Sequence, residues 1–218
     1  MAGGYKTLLR AATNEYIVNK SRFLCHAAPA DTEEKALAFL SEKRAAYRDA
    51  THNCYAYVIG ENAGVMRYSD DGEPGGTAGL PMMEVIKARG AVNCCVVVTR
   101  YFGGILLGAG GLVRAYSHSC SLALNAAGVI VMEPSERWLI DVPYPLWDRV
   151  SHALASLPVK VENTEFSVSV VSTLLIRARD AQSVVSRLTE ETNARAETLK
   201  TQELCAAWNA PDENAATH

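Results

Sequence analysis

The sequence predicts a two-domain α+β protein: a two-layer α/β domain over residues 1–134, then a βαββαβ domain over 135–206. Three observations predict it. Up to about residue 131, apolar β-branched runs alternate with stretches of helical period. From Trp138 to Glu203 the elements shorten and follow the order β-α-β-β-α-β, the split βαβ pattern. Between the two lies MEPSER (132–137), where Pro134 reads as a break.

The elements follow in chain order. Residues 17–28, IVNKSRFLCHAA, read as a strand with a polar start. Asp31 and Thr32 offer an N-cap, and Glu33 and Glu34 suit a first helical turn. Ala36, Leu37, Phe39 and Leu40 give that helix its apolar face, ending near Arg48. HNCYAYVIG (52–60) is aromatic and β-branched, so it is a strand, with 66–69 as its hairpin partner. Pro81 suits a first helical turn, and Gly90 stops that helix. Residues 92–99 form a buried central strand. A long helix starts near Gly110 or Gly111 and runs to Gly128, with Arg114 in its first turn. In the second domain, strands are expected at 138–142, 159–165, 166–176 and 194–203, and helices at 145–157 and 181–191. The tail, 207–218, has nothing to bury and is expected to be disordered.

Composition narrows the class. The chain has 218 residues, 49% apolar and 21% charged, as globular proteins have. The net charge of -3 excludes a global attraction to nucleic acid. Of six cysteines none forms a C-x-x-C pair, and adjacent Cys94 and Cys95 face opposite ways on a strand. No secretory h-region and no apolar run of ~20 residues is visible, so a cytoplasmic protein with no membrane role is expected.

Two glycine-rich loops hold the candidate site. YSDDGEPGGTAGLP (68–81) is acidic, with Asp70, Asp71 and Glu73 within four positions. RYFGGILLGAGGLVRAY (100–116) is basic, with Arg100 and Arg114, and carries Gly103, Gly104, Gly108, Gly110 and Gly111. Three carboxylates suit a hard cation or acid–base work; they equally suit a solvated turn. The calcium-loop, P-loop and G-x-G-x-x-G orders are all absent. What remains is a backbone nest at a helix start, able to hold a phosphate beside Arg100 and Arg114. Those arginines could instead pair with the acidic loop. Lys20 and Arg22 could widen an anion surface or simply be a solvated strand start. His52 and Cys54 share a strand face, but no third metal ligand accompanies them. Tyr101, Phe102 and Tyr116 could stack on bases or fill the core.

These residues also carry a resemblance. KSRF (20–23), HNCYAYVIG, YSDDGEPGGTAGLP and VVVTRYFGGILLGAGGLVRAY (96–116) resemble the successive signature blocks of the IMPACT family, in its bacterial YigZ-type branch. Residues 137–204 resemble the ferredoxin-like C-terminal domain of that branch. The resemblance implies an N-terminal fold shared with a small-subunit ribosomal protein domain and domain IV of elongation factor G. The C-terminal domain would resemble the last domain of that factor. That pairing implies RNA or the ribosome as partner and a role in translation. Eukaryotic relatives act through a partner that controls an initiation-factor kinase, using an added N-terminal domain. Little chain precedes the first block here, so that interaction is not carried over.

The leading expectation is therefore a non-enzymatic RNA- or ribosome-associated factor, monomeric and without DNA specificity. Its contacts would come from Lys20, Arg22, His52, the 70–73 acids, Arg100, Tyr101, the 103–111 glycines and Arg114. One alternative is a small enzyme acting on a phosphate-bearing ligand, with Asp70 or Asp71 as base or magnesium ligand. Another is a protein-interaction module using the second domain's open sheet face. No resident cofactor is expected beyond such a magnesium ion, and no transition metal.

Overall fold

The structure, a computed structural model, describes residues 3–208. It has a mixed α+β architecture of two five-stranded sheets and five helices among those residues. Contacts divide the chain into two compact units, one of 5–131 and one of 132–208 with 3–4.

The first unit runs β1 (Tyr5–Leu8), β2 (Ala12–Val18), β3 (Ser21–Pro29), α1 (Glu33–Ala46), β4 (His52–Ile59), β5 (Val65–Ser69), α2 (Gly79–Arg89), β6 (Cys94–Tyr101) and α3 (Gly108–Ala127). Strands β2 to β6 form an antiparallel sheet in the order β2-β3-β6-β4-β5. The apolar run CCVVV makes β6 the central strand, buried along nearly its whole length. Cys94, Val96 and Val98 face a core shared with α2 and α3; Cys95 and Val97 face α1 together with Tyr57 and Ile59. Helices thus cover both faces, and this unit has three layers rather than the expected two. A strand that is apolar at successive positions requires that, since alternate side chains leave opposite faces. Local chemistry sets the helix ends. The Thr32 hydroxyl accepts from the Lys35 N–H at 3.3 Å, and Gly90 closes α2 at φ 65°.

The stretch 17–28 is not one strand. Asn19 and Lys20 both have positive φ, 46° and 62°, and make a two-residue turn between β2 and β3. That geometry is what a two-residue hairpin loop demands.

The second unit continues with β7 (Val129–Val142), α4 (Tyr144–Leu154), β8 (Val159–Phe166), β9 (Val170–Arg177), α5 (Ala181–Thr192) and β10 (Glu197–Ala207). Its antiparallel ladders give the order β8-β9-β7-β10, and β1, the fifth strand of that sheet, also pairs with the long strand β7. Ile140, Val142, Leu174 and Ile176 of the sheet pack with Val150, Leu154, Val184 and Leu188 of the helices. Pro134 does not break the chain: β7 runs straight through it. Its carbonyl faces β9, accepting from Ala178 at 2.9 Å, and it lies one residue beyond the β7–β9 ladder, so its missing N–H is not needed there. Ala207 ends β10 where the tail was expected to start. The Trp208 indole donates to Ser135 Oγ at 2.9 Å, with the Arg177 guanidinium 4.1 Å from its ring. The rest of the expected tail lies outside the described residues. Among the described residues, no helix is long and apolar enough to cross a membrane.

Candidate functional site

Register brings the candidate residues to one end of the first sheet. Arg22 on β3 lies opposite Tyr101, and Phe23 and His52 flank Arg100 on either side. Beside this end opens a cavity of about 400 Å³, lined by Thr51, His52, Glu73, Arg100 and Phe102 together with the start of α3.

Its floor is a buried polar chain. Arg100 Nη1 donates to Glu73 Oε1 at 2.6 Å, and Arg100 Nη2 lies 3.4 Å from Ser21 Oγ. The Tyr116 hydroxyl donates to the same Glu73 oxygen at 2.7 Å. Burial, then the Cys54 and Glu73 groups, push the Tyr116 hydroxyl up, so it stays a donor. The Cys54 thiol lies 3.4 Å from it and is itself pushed up to about 12 by burial. Tyr116 is therefore core and not a base-stacking surface.

His52 borders this floor. Its Nδ1 bonds the Asp71 carbonyl at 2.9 Å, and a carbonyl only accepts, so Nδ1 carries the proton. In the neutral ring Nε2 is then bare, 3.9 Å from Glu73 Oε2.

The other two acids turn away from the cavity. Asp70 accepts from the N–H groups of Gly76, Ala78 and Gly79 at 2.8–3.0 Å, shaping the loop into α2. Burial opposes its charge, but the bonds from Gly76, Gly79 and Ala78 together outweigh it and hold the carboxyl below its ordinary value. Asp71 binds Arg44 at 2.8 Å and the Asn53 N–H at 2.7 Å. Both carboxylates hold loop and strand backbone in place, and neither lines the cavity. Among the described residues, no group of three or more His, Cys, Asp or Glu is arranged to hold a metal ion.

The basic residues also separate. Lys20 sits on the β2–β3 turn, exposed and without an ion pair among the described residues. Arg22 pairs with Glu15. Arg114 lies in the second turn of α3, because the helix starts at Gly108, and not in the first turn as expected. It too is exposed and has no ion pair among the described residues. Tyr101 is half-buried and donates to Asp49 at 2.9 Å.

The glycines have different reasons. A side chain on Gly103 would meet the Lys20 backbone at 2.0 Å, so this glycine lets the loop lie against the β2–β3 turn. Gly108 enters α3 at φ 68°, on the cavity wall. Gly104 lies in the open loop, and Gly110 and Gly111 are in the first turn of α3. The sequence did not single out Leu106, Leu107 or Pro74, which also line the cavity. Their only signal is proximity to the glycines.

Residues 19–124 match the Impact N-terminal domain, and 140–195 match a domain of unknown function (DUF1949). The IMPACT family member YvyE of Bacillus subtilis (strain 168) is 38% identical over 197 residues, 90% of this chain and 91% of its own. The family member YigZ of Escherichia coli (strain K12) is 32% identical over 188 residues, 85% and 92% of the two chains. A solved structure titled as a hypothetical protein is 29% identical, with a TM-score of 0.60 over 93% of this chain and 99% of its own.

Proposed function

This chain belongs to the IMPACT family, and on that premise we propose that it is a non-enzymatic, monomeric factor that associates with RNA or the ribosome in translation. The family likeness supplies the direction, and the site supplies the chemistry. One observation carries the reading. The exposed Phe102 ring lines a cavity where α3 begins without a side-chain cap, and the adjacent Gly103 lies against the backbone of Lys20, an exposed residue with no ion pair among the described residues. Cation, aromatic face and helix start are what a phosphate-and-base ligand uses. A net charge of -3 means that such binding must be local to this end of the sheet. We place the chain in the YigZ-type branch. We also read its second unit as ferredoxin-like, like the last domain of elongation factor G, and its first as like domain IV of that factor. The strand order β8-β9-β7-β10 supports the ferredoxin-like reading.

The test is co-sedimentation with ribosomes and titration with short structured RNA, comparing the protein with a Lys20→Glu/Arg114→Glu variant. Both side chains are exposed, so the variant folds. Binding to the unaltered protein and a loss of about tenfold in the variant are expected. No binding at low salt, or equal binding by both proteins, removes the reading.

A second reading, a small enzyme acting on a phosphate-bearing ligand, is favoured by His52, which lines the cavity with its Nε2 3.9 Å from Glu73 Oε2. Turnover of a phosphate ester that His52→Asn abolishes would select it over the first. The interaction-module reading finds little here: β8 exposes Val161 and Phe166 among Glu162, Asn163 and Glu165.

A further inference from the structure

Three buried side-chain polar atoms of the first unit have no partner among the described residues, and one of them, Arg100 Nε, belongs to a residue that lines this cavity. Arg100 is only 5% exposed, and its buried Nε donates to nothing among the described residues. A charged donor left unpaired inside a fold is costly, so an acceptor is implied. The 20-residue helix α3 starts in the same wall, with Gly108 and Ala109 lining the cavity. No side chain caps it and its first turn holds no acid. The N–H groups of Ala109 and Gly110 come before the first intrahelical bond of α3 and find no acceptor among the described residues. Such a start carries roughly half a positive charge. The wall also holds the Glu73 carboxylate, but Arg100 balances its charge. Two independent sets of unpaired donors at one cavity make an anion site.

We propose that the cavity is a subsite for a phosphate monoester borne by a nucleoside, either free or at the end of an RNA strand. The choice of a nucleoside as carrier rests on the RNA reading above. A monoester leaves the cavity by a single bond, whereas an internal phosphodiester has chain on both sides and does not reach a floor set by buried Arg100. Phe102, 46% exposed at the rim, offers a ring face to the base. Leu107 and buried Leu112 make part of the remaining wall apolar, which lowers the local dielectric and strengthens the anion's contacts.

Ala109 supplies the probe, being exposed, in the first turn of α3 and in the cavity lining. Ala109→Asn adds bulk without charge. Ala109→Asp sets a carboxylate of the same shape in the first turn, which suits the helix dipole and holds or raises Tm while repelling an anion. Binding is measured by calorimetry with adenosine 5′-monophosphate, adenosine and inorganic phosphate, and with a short RNA bearing a 5′-phosphate or a 5′-hydroxyl. The phosphorylated ligands should bind about tenfold more tightly than their unphosphorylated forms. Ala109→Asn should keep that preference, and Ala109→Asp should lose it with Tm intact. Indifference to the end phosphate, or a preference surviving Ala109→Asp, overturns the subsite even where RNA binds. Inorganic phosphate binding as tightly as the nucleotide removes the nucleoside from the proposal. Phosphate-dependent binding of the mononucleotide, with no binding of either RNA, upholds the subsite and removes the RNA reading.

Discussion

Glu73 and Arg100 form an ion pair at 2.6 Å with side chains only 3% and 6% exposed. The pair joins the acidic loop to the central strand, and Tyr116 ties it to α3. Removing one member strands the other's charge in the core. Arg100→Met alone should cost about 3–5 kcal/mol, and adding Glu73→Gln should recover part of it. Urea denaturation of both singles and the double gives the coupling. A loss under about 1 kcal/mol, or strict additivity, contradicts the pairing.

His26 gives the acid response. Burial, with Lys43 adding to it, pushes its imidazole down to about 4. Its Nδ1 lies 3.0 Å from Thr13 Oγ1, and its ring stacks on Tyr47. The unfolded value is about 6.5, so folding favours the neutral ring. Its stabilising contribution is complete above about pH 6.5 and is lost as pH falls towards about 4. About 2 kcal/mol should disappear by about pH 5. Melting curves across that window should slope for the unaltered protein and flatten for His26→Gln; parallel curves refute the assignment.

Much of this was legible in the sequence because it depends on apolar pattern. CCVVV reads as a buried strand and is the central one. Opposite charges at Glu73 and Arg100 read as two walls, and the structure brings them into contact. Features set by backbone geometry were not legible. Asn19–Lys20 contains no glycine, so nothing marks it as a turn until both φ values are known to be positive. Pro134 reads as a break because the sequence does not say which way its missing donor would face. Asp70 resembles Glu73 in sequence, yet its partners are three backbone N–H groups that have no residue signature.

Two glycines of one loop should respond in opposite ways. Gly103→Ala places a methyl 2.0 Å from the Lys20 backbone and should cost about 1–3 kcal/mol. Gly110→Ala, in open helix, should gain about 0.5–1 kcal/mol. Denaturation midpoints check both, and a tolerated Gly103→Ala would contradict the close approach of the loop to the β2–β3 turn.

The most direct test of the RNA reading is the slope of log affinity against log salt for a short structured RNA. Each phosphate contact contributes about 0.7–0.9 to that slope. Affinity should fall with salt, with a slope shallower by about 1–2 in the Lys20→Glu/Arg114→Glu variant. No binding at low salt, or the same slope in both proteins, would contradict it.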